Sequence, residues 1–236
     1  EEYEPKQAVH DIRKIEEALK TGKIAVDLYR PNNCPDSRVQ FKIYSAGKPV
    51  TLSDILPMLE RMGFRVISEL PFEVEPTHVK ESVWIHDFVM ERHSNSMMPD
   101  IKSMKDVFEE AFAKIWYGEM ENDGLNRLVL RAKMSWRDIT ILRTYLRYLR
   151  QVGLHYSREF IENTLADNPK ITASIVNLFK SLFDPNLKGE NEIHAAGYAV
   201  EIDHAMEGVD SLDQDKVLRS LTAVVNATLR TNFFQM

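Results

Sequence analysis

The hydrophobic period of this chain changes near residue 95, and that change constrains the fold more than any other feature. Before it, apolar residues come in short alternating runs. In "RVQFKIY" (38–44), Val39, Phe41 and Ile43 alternate with Gln40 and Lys42, the two-residue period of a strand with unlike faces. After it, apolar residues recur at three- and four-residue steps, the period of amphipathic helices. Two domains are therefore expected, an α+β domain at 1–95 and a helical domain at 96–236. "HSNSMMPD" (93–100), polar at its start and carrying Pro99 near its end, is the expected linker.

In the first part, "AVHDIRKIEEAL" (8–19) places Val9, Ile12, Ile15 and Leu19 on one helical face, and Gly22 follows as a stop. Strands are expected at 23–30, 38–44, 64–74 and 81–92. A second helix is expected at 51–63, capped by Ser53 or Asp54 and ended by Gly63. With that start, Pro57 falls in or near the first turn, where its missing N–H costs little. The resulting order is α-β-β-α-β-β. Moving the last α-β unit of the ferredoxin-like order β-α-β-β-α-β to the front gives the same string. A permuted ferredoxin-like, ACT-type sandwich is the expected architecture. A simple antiparallel sheet with helices on one face is the alternative.

Past the linker, helices are expected at 103–117, 123–133, 136–152, 158–167, 170–183, 191–207 and 212–233. Ser135 with Asp138 resembles a capping box, Gly153 a stop, Asn168-Pro169 a start and Asp184-Pro185 an end. Asp210 or Ser211 caps the last helix. No fixed-period repeat and no low-complexity tract is present.

Composition narrows the function. The chain has 236 residues, 44% hydrophobic and 28% charged, with a formal net charge of -6. The acidic balance argues against a nucleic-acid partner. Cys34 is the only cysteine, so no internal disulfide and no thiolate metal cluster can form, which fits a reducing, cytoplasmic setting. No apolar run approaches the roughly 18 residues of a membrane span, and the acidic start "EEYEPK" is no secretory signal. The end, "TLRTNFFQM", places two phenylalanines at the terminus. Aromatic residues favour burial, so a piece of a longer polypeptide is expected, with trimming of a complete small protein as the other reading.

Motifs for chemistry are scarce. Neither G-x-G-x-x-G nor G-x-x-x-x-G-K-[ST] occurs, and only nine glycines are available to wrap a phosphate. Glu201 and His204 have E-x-x-H spacing, but a di-iron site needs a second such motif; a solvated helix face accounts for them. Cys34 sits in a Pro/Asn loop without a local base. His86 and Asp87 are adjacent in a strand and so point to opposite faces, one expected in the core and hydrogen-bonded, the other exposed. No catalytic, cofactor-binding or metal-binding residue is therefore assigned.

The stretch "ENDGLNRLVLRAKMSWRDITILRTYLRYLRQ" (121–151) is rich in arginine and tyrosine. At about 100° per residue, Arg143, Arg147 and Arg150 form one stripe on the helix after Ser135. Ile139, Ile141, Leu142, Tyr145, Leu146, Tyr148, Leu149 and Val152 fill a broad apolar arc. A helix this apolar is mostly buried, and its arginine heads are expected to meet acids at a domain or subunit boundary. Arg143, Arg147 and Arg150 are the candidate interface residues. A nucleic-acid stripe is disfavoured because the tyrosines lie in the apolar arc, away from the arginines.

The same region also carries a family likeness. "FEEAFAKIWYGEMENDGLNRLVLRAKMSWRDITILRTYLRYLRQVG" resembles the large, NAD-specific glutamate dehydrogenases of bacteria. "FKIYSAGKPVTLSDILPMLERMGFRVISELPFEV", "WIHDF" and "LDQDKVLRSLTAVVNATLRTNFFQ" resemble the flanking stretches of that family, in order, over roughly residues 24 to 235. Leu125, where phenylalanine is expected, is a conservative departure. The resemblance implies a long cytoplasmic polypeptide that forms a homo-oligomer and oxidises L-glutamate to 2-oxoglutarate and ammonium with NAD. It implies that this segment precedes the catalytic part and binds no cofactor itself. Its partners would then be the other domains and subunits of the same enzyme, with no nucleic acid and no membrane. The alternative is a free-standing amino-acid-sensing or helical protein-interaction module.

Overall fold

The computed structural model describes residues 5–31, 34–92, 100–187 and 189–235. The expected linker at 93–100, apart from Asp100, lies outside these residues. So do the acidic start through Glu4 and Asn32-Asn33 of the Cys34 loop. The chain divides into two compact units, Glu1–Asn122 and Asp123–Met236, rather than near residue 95.

The first unit holds α1 (Pro5–Thr21), β1 (Ala25–Tyr29), β2 (Arg38–Ala46), α2 (Leu52–Arg61), β3 (Phe64–Val74), β4 (Val83–Arg92) and α3 (Ile101–Trp116). The strands form one antiparallel sheet in the order β1-β2-β4-β3. That is the ferredoxin-like strand order in permuted form. The register pairs Phe41 with Phe88 and Ile43 with His86, which puts all four on one face. Lys42, Tyr44, Ile85 and Asp87 share the other face with Ala25 and Asp27.

Helices cover both faces. On the Phe41 face, Phe108 and Phe112 of α3 meet Phe41 edge-on at 5.4 and 4.8 Å between centroids, and Phe108 also meets Phe64. The loop into α2 reaches this face too, through the Val50 N–H. On the other face, Ala18 of α1 is buried with Ala25, Tyr44, Val83 and Ile85. The helix that shares a face with α2 is thus α3. Only the last strand of the ferredoxin-like order has moved to the front, and α1 is an addition on the opposite face. This also explains why the first unit extends past the expected linker: the Phe41 face needs α3 to exclude water.

α3 has a second role at the sheet margin. β1 is an edge strand, and edge N–H groups need acceptors when buried. Glu109 of α3 accepts from the Leu28 N–H at 2.7 Å, and the Tyr117 hydroxyl accepts from the Ile24 N–H at 2.8 Å. The same burial raises the Glu109 pKa, with the Leu28 N–H and Lys105 opposing it.

Helix α2 begins at the N-cap Thr51, which makes no side-chain cap bond, rather than at Ser53 or Asp54. Pro57 is therefore the sixth helical residue, past the first turn, where it removes one i→i−4 bond. A bulge between Val66 and Ser68 interrupts the β3–β4 ladder.

The second unit is helical. It holds a 3-10 turn (Gly124–Arg127), α4 (Leu128–Arg131), α5 (Trp136–Gln151), α6 (Arg158–Asp167), α7 (Pro169–Phe183), a 3-10 turn (Pro185–Leu187), α8 (Asn191–Met206) and α9 (Leu212–Asn226). The Ser135–Asp138 capping box forms in both directions, Pro169 sits in the first turn of α7, and Ser211 caps α9. Gly153, at φ +97°, follows α5 in the left-handed region. The helix expected at 123–133 splits into a 3-10 turn and one turn of α4. The last helix stops at Asn226 rather than 233. Beyond it the chain folds back, and Phe233 packs edge-on against Phe179 at 5.6 Å under the Arg137 guanidinium. Phe233 and Phe234 are accordingly half-buried.

Glu109→Ala is expected to destabilise the protein by about 1–3 kcal/mol, because the Leu28 N–H loses its acceptor. Glu109→Gln keeps an acceptor oxygen and should cost less. Chemical denaturation measures both; equal midpoints for Glu109→Ala and wild type would show that the edge needs no such partner.

Candidate functional site

The arginine stripe read from the sequence divides in the structure. Arg143 is only 6% exposed and turns inward. Its Nε and Nη2 donate to the two Asp123 carboxylate oxygens at 2.8 and 2.9 Å, and Nη2 also donates to Asn126 Oδ1 at 2.5 Å. Arg158 Nη2 donates to Asp123 Oδ2 at 2.7 Å, and the Leu125 N–H donates to Asp123 Oδ1 at 3.1 Å. One buried carboxylate thus joins α5, α6 and the first 3-10 turn. The forked pair satisfies both buried charges, without which each would cost several kcal/mol. Nearby, Glu162 accepts from the Gly124 N–H at 3.1 Å and from Arg158 Nε at 2.6 Å.

Arg147 and Arg150 are exposed. Tyr145 joins the core, edge-on to Phe179, with its hydroxyl on Thr228; burial raises its pKa, and the Thr228 contact opposes that. Tyr148 and Val152 are 51% and 59% exposed. The buried arc of α5 is therefore narrower than the wheel implied, and Arg143 belongs to it rather than to the stripe.

A second polar cluster lies in the first unit, on the sheet face beneath α1. Asp11 of α1 accepts from Lys42 Nζ at 2.8 Å and from the Tyr44 hydroxyl at 2.6 Å. Lys42 is 1% exposed and also lies over the Tyr29 ring. Asp27 pairs with Lys105 of α3. His10 Nε2 lies 3.1 Å from Asp27 Oδ1 but is not aligned for a hydrogen bond. The Tyr29 hydroxyl donates to Asp87 Oδ2 at 2.8 Å, while Asp87 Oδ1 is buried without a hydrogen-bond partner among the described residues. Burial raises the Asp87 pKa to about 6, against the smaller opposing effects of Tyr29 and Lys42.

His86 and Asp87 do point to opposite faces. His86 is buried; its Nδ1 contacts Glu69 Oε1 at 2.7 Å and its Nε2 accepts from the Val50 N–H at 3.2 Å. That pairing places the imidazole proton on Nδ1. His86 is thus the core member of the pair, and Asp87, on the opposite face, is half-buried rather than exposed because α1 covers that face.

Among the described residues, no group of three or more His, Cys, Asp or Glu side chains is placed to hold a metal ion. Glu201 and His204 are exposed, and Glu201 accepts from Ser174 Oγ at 3.0 Å. The Cys34 thiol has a pKa raised by burial, with Arg30 and Arg38 opposing, so nothing activates it. Neither polar cluster contains a glycine-rich phosphate cradle among the described residues. No described helix is long and apolar enough to cross a membrane.

Comparison with known proteins places these units. Residues 23–103 match the glutamate dehydrogenase ACT3 domain, residues 120–185 match glutamate dehydrogenase helical motif 3, and residues 201–236 match the catalytic domain of bacterial NAD-glutamate dehydrogenase. The chain is 39% identical to an NAD-specific glutamate dehydrogenase of Halomonas elongata and 34% identical to one of Pseudomonas aeruginosa, over all of its length. It is 36% identical to one of Mycobacterium tuberculosis over 98% of its length. The chain belongs to the bacterial NAD-specific glutamate dehydrogenase family.

It spans only 14–15% of the length of these relatives. Within the family frame, Asp27, Lys42, Tyr44 and Asp87 of the polar sheet face lie in the ACT3 match, Asp11 and Lys105 lie outside it, and the Asp123 junction lies in helical motif 3. The catalytic-domain match begins at residue 201, inside α8, so that border falls earlier than the sequence reading placed it. Neither Asp11–Lys42 nor Asp123–Arg143 was recognised as a pair from the sequence. Asp123-Gly124 ahead of a helical run was the one available signal, as a cap.

Asp123→Ala strands the buried Arg143 charge and is expected to cost about 3–5 kcal/mol, while Arg150→Ala should stay within about 0.5 kcal/mol. Equal unfolding midpoints for the two variants would refute the junction. For Asp87, the folded pKa of about 6 lies above the ordinary 3.8. The stability it contributes is therefore fully present below pH 3.8 and is lost as pH rises through 6. Asp87→Asn should raise stability at pH 7 by about 1 kcal/mol and flatten that part of the pH profile; a parallel profile would refute the assignment.

Proposed function

We propose that this chain is a non-catalytic assembly and positioning segment of a large NAD-dependent glutamate dehydrogenase. The observation that carries the reading is the ordered match of three successive parts of that family along one chain. In the full-length polypeptide, L-glutamate is oxidised to 2-oxoglutarate and ammonium while NAD accepts hydride. Sequence outside this segment binds NAD and the substrate; the lack of a phosphate loop and of an activated nucleophile here supports that division.

The segment's partners are the other domains and subunits of the same cytoplasmic homo-oligomer. Arg147 and Arg150, exposed on α5, are its contact residues toward acidic surfaces. The two units suit this role because their buried ion pairs fix helix against sheet and helix against helix. A single broken pair leaves an uncompensated charge, so each unit holds one arrangement.

The test is glutamate-dependent NADH formation by the full-length polypeptide and by residues 1–236 alone. Activity is expected only in the former. A well-folded, inactive full-length protein, or an active isolated segment, would overturn the reading. Arg147→Glu with Arg150→Glu should lower the assembled mass of the full-length protein in light scattering at low salt. Unchanged mass would remove the two arginines from the interface.

A further inference from the structure

The exposed apolar side chains of the described residues are unevenly placed. Four large ones are more than 70% exposed: Ile193 at 74%, Val200 at 71%, Leu212 at 87% and Leu229 at 94%. All four lie in the last 44 positions, at or just before the catalytic-domain match at 201–236.

Helix α8 shows why this is not random scatter. Ala195, Ile202 and Met206 are buried on one side, where α8 packs along α7. At about 100° per residue, Ile193, Ala196, Gly197 and Val200 align on the opposite side, and all four are exposed. Charged or titratable residues bound this strip, with His194 and Glu201 on one margin, Glu192 and Asp203 on the other, and exposed His204 ending the row toward the C-terminus of α8. A helix apolar on opposite faces is one that is buried on both. An apolar centre with a charged rim is the build of an interface. Gly197 has nothing within 4 Å of where a Cβ would stand, so an incoming side chain can approach the backbone there.

We propose that the outer strip of α8 is the seat of the remainder of the catalytic domain of the same polypeptide. The proposal rests on the reading of this chain as a segment of a larger enzyme. Two observations favour that occupant over a second copy of the chain. The catalytic match starts on α8 itself, one residue after Val200, so the strip adjoins sequence belonging to that domain. Most of the length of the relatives lies outside the matched segment, which leaves ample chain to cover it. On this view α8 is a shared wall: its α7 side belongs to the helical unit and its outer side to the catalytic domain.

The experiment uses full-length protein with a photo-crosslinking phenylalanine analogue at Val200, and separately Val200→Cys and the exposed control Glu159→Cys. Crosslinks should run to sequence after residue 236 of the same subunit, as shown by mixing isotopically light and heavy protein. Maleimide should label the thiol of the Val200→Cys variant about tenfold or more slowly than that of the Glu159→Cys variant, because labelling then requires local opening. Crosslinks to another subunit, crosslinks confined to residues 1–236, or equally fast labelling of the two variants at their introduced thiols would each overturn the proposal. Glutamate-dependent NADH formation by the wild-type full-length protein is measured in parallel. Its absence counts against the parent activity, whereas the crosslinks report the docking directly.

Discussion

Strand β2 is buried on both faces, and the first unit is organised around that constraint. Val39, Phe41 and Ile43 on one face demand an apolar cover, which α3 supplies through Phe108 and Phe112. Lys42 and Tyr44 on the other face are polar and equally buried. They require a charged partner in a place water does not reach. Asp11 meets that need, and so α1 must lie across the sheet in one register. Removing helix or strand from this arrangement leaves a lysine or an aspartate alone in a low-dielectric interior.

The second unit repeats the device with different parts. Asp123 gathers Arg143, Arg158 and a backbone N–H, and so joins a loop to two helices. In each cluster the buried acid and base are paired directly, Asp11 with Lys42 and Asp123 with Arg143. Each pair ties together elements that are far apart in the chain.

The glutamate dehydrogenase likeness and the fold reading reinforce each other at different levels. Local patterns carried the element boundaries: the alternation of 38–44, the Ser135–Asp138 box and the Asn168-Pro169 start all appear in the structure within a residue or two. Where local rules competed, tertiary contacts decided. Pro57 is held inside α2 because the helix starts at Thr51, and α9 ends early because Phe233 packs on Phe179 instead of continuing the helix.

The sequence by itself determined the period switch, the strand and helix complement, the family and the absence of a phosphate loop, since each depends on residues close together in the chain. Only the tertiary structure decided which face each helix covers, that α3 belongs with the sheet, and that Arg143 is buried while Arg147 and Arg150 are not. An arginine's place on a wheel gives its direction but not what stands opposite. Asp123 stands twenty residues away and Asp11 thirty-one from Lys42. Charge pairing at that range is a property of packing, and packing is set by the whole unit at once.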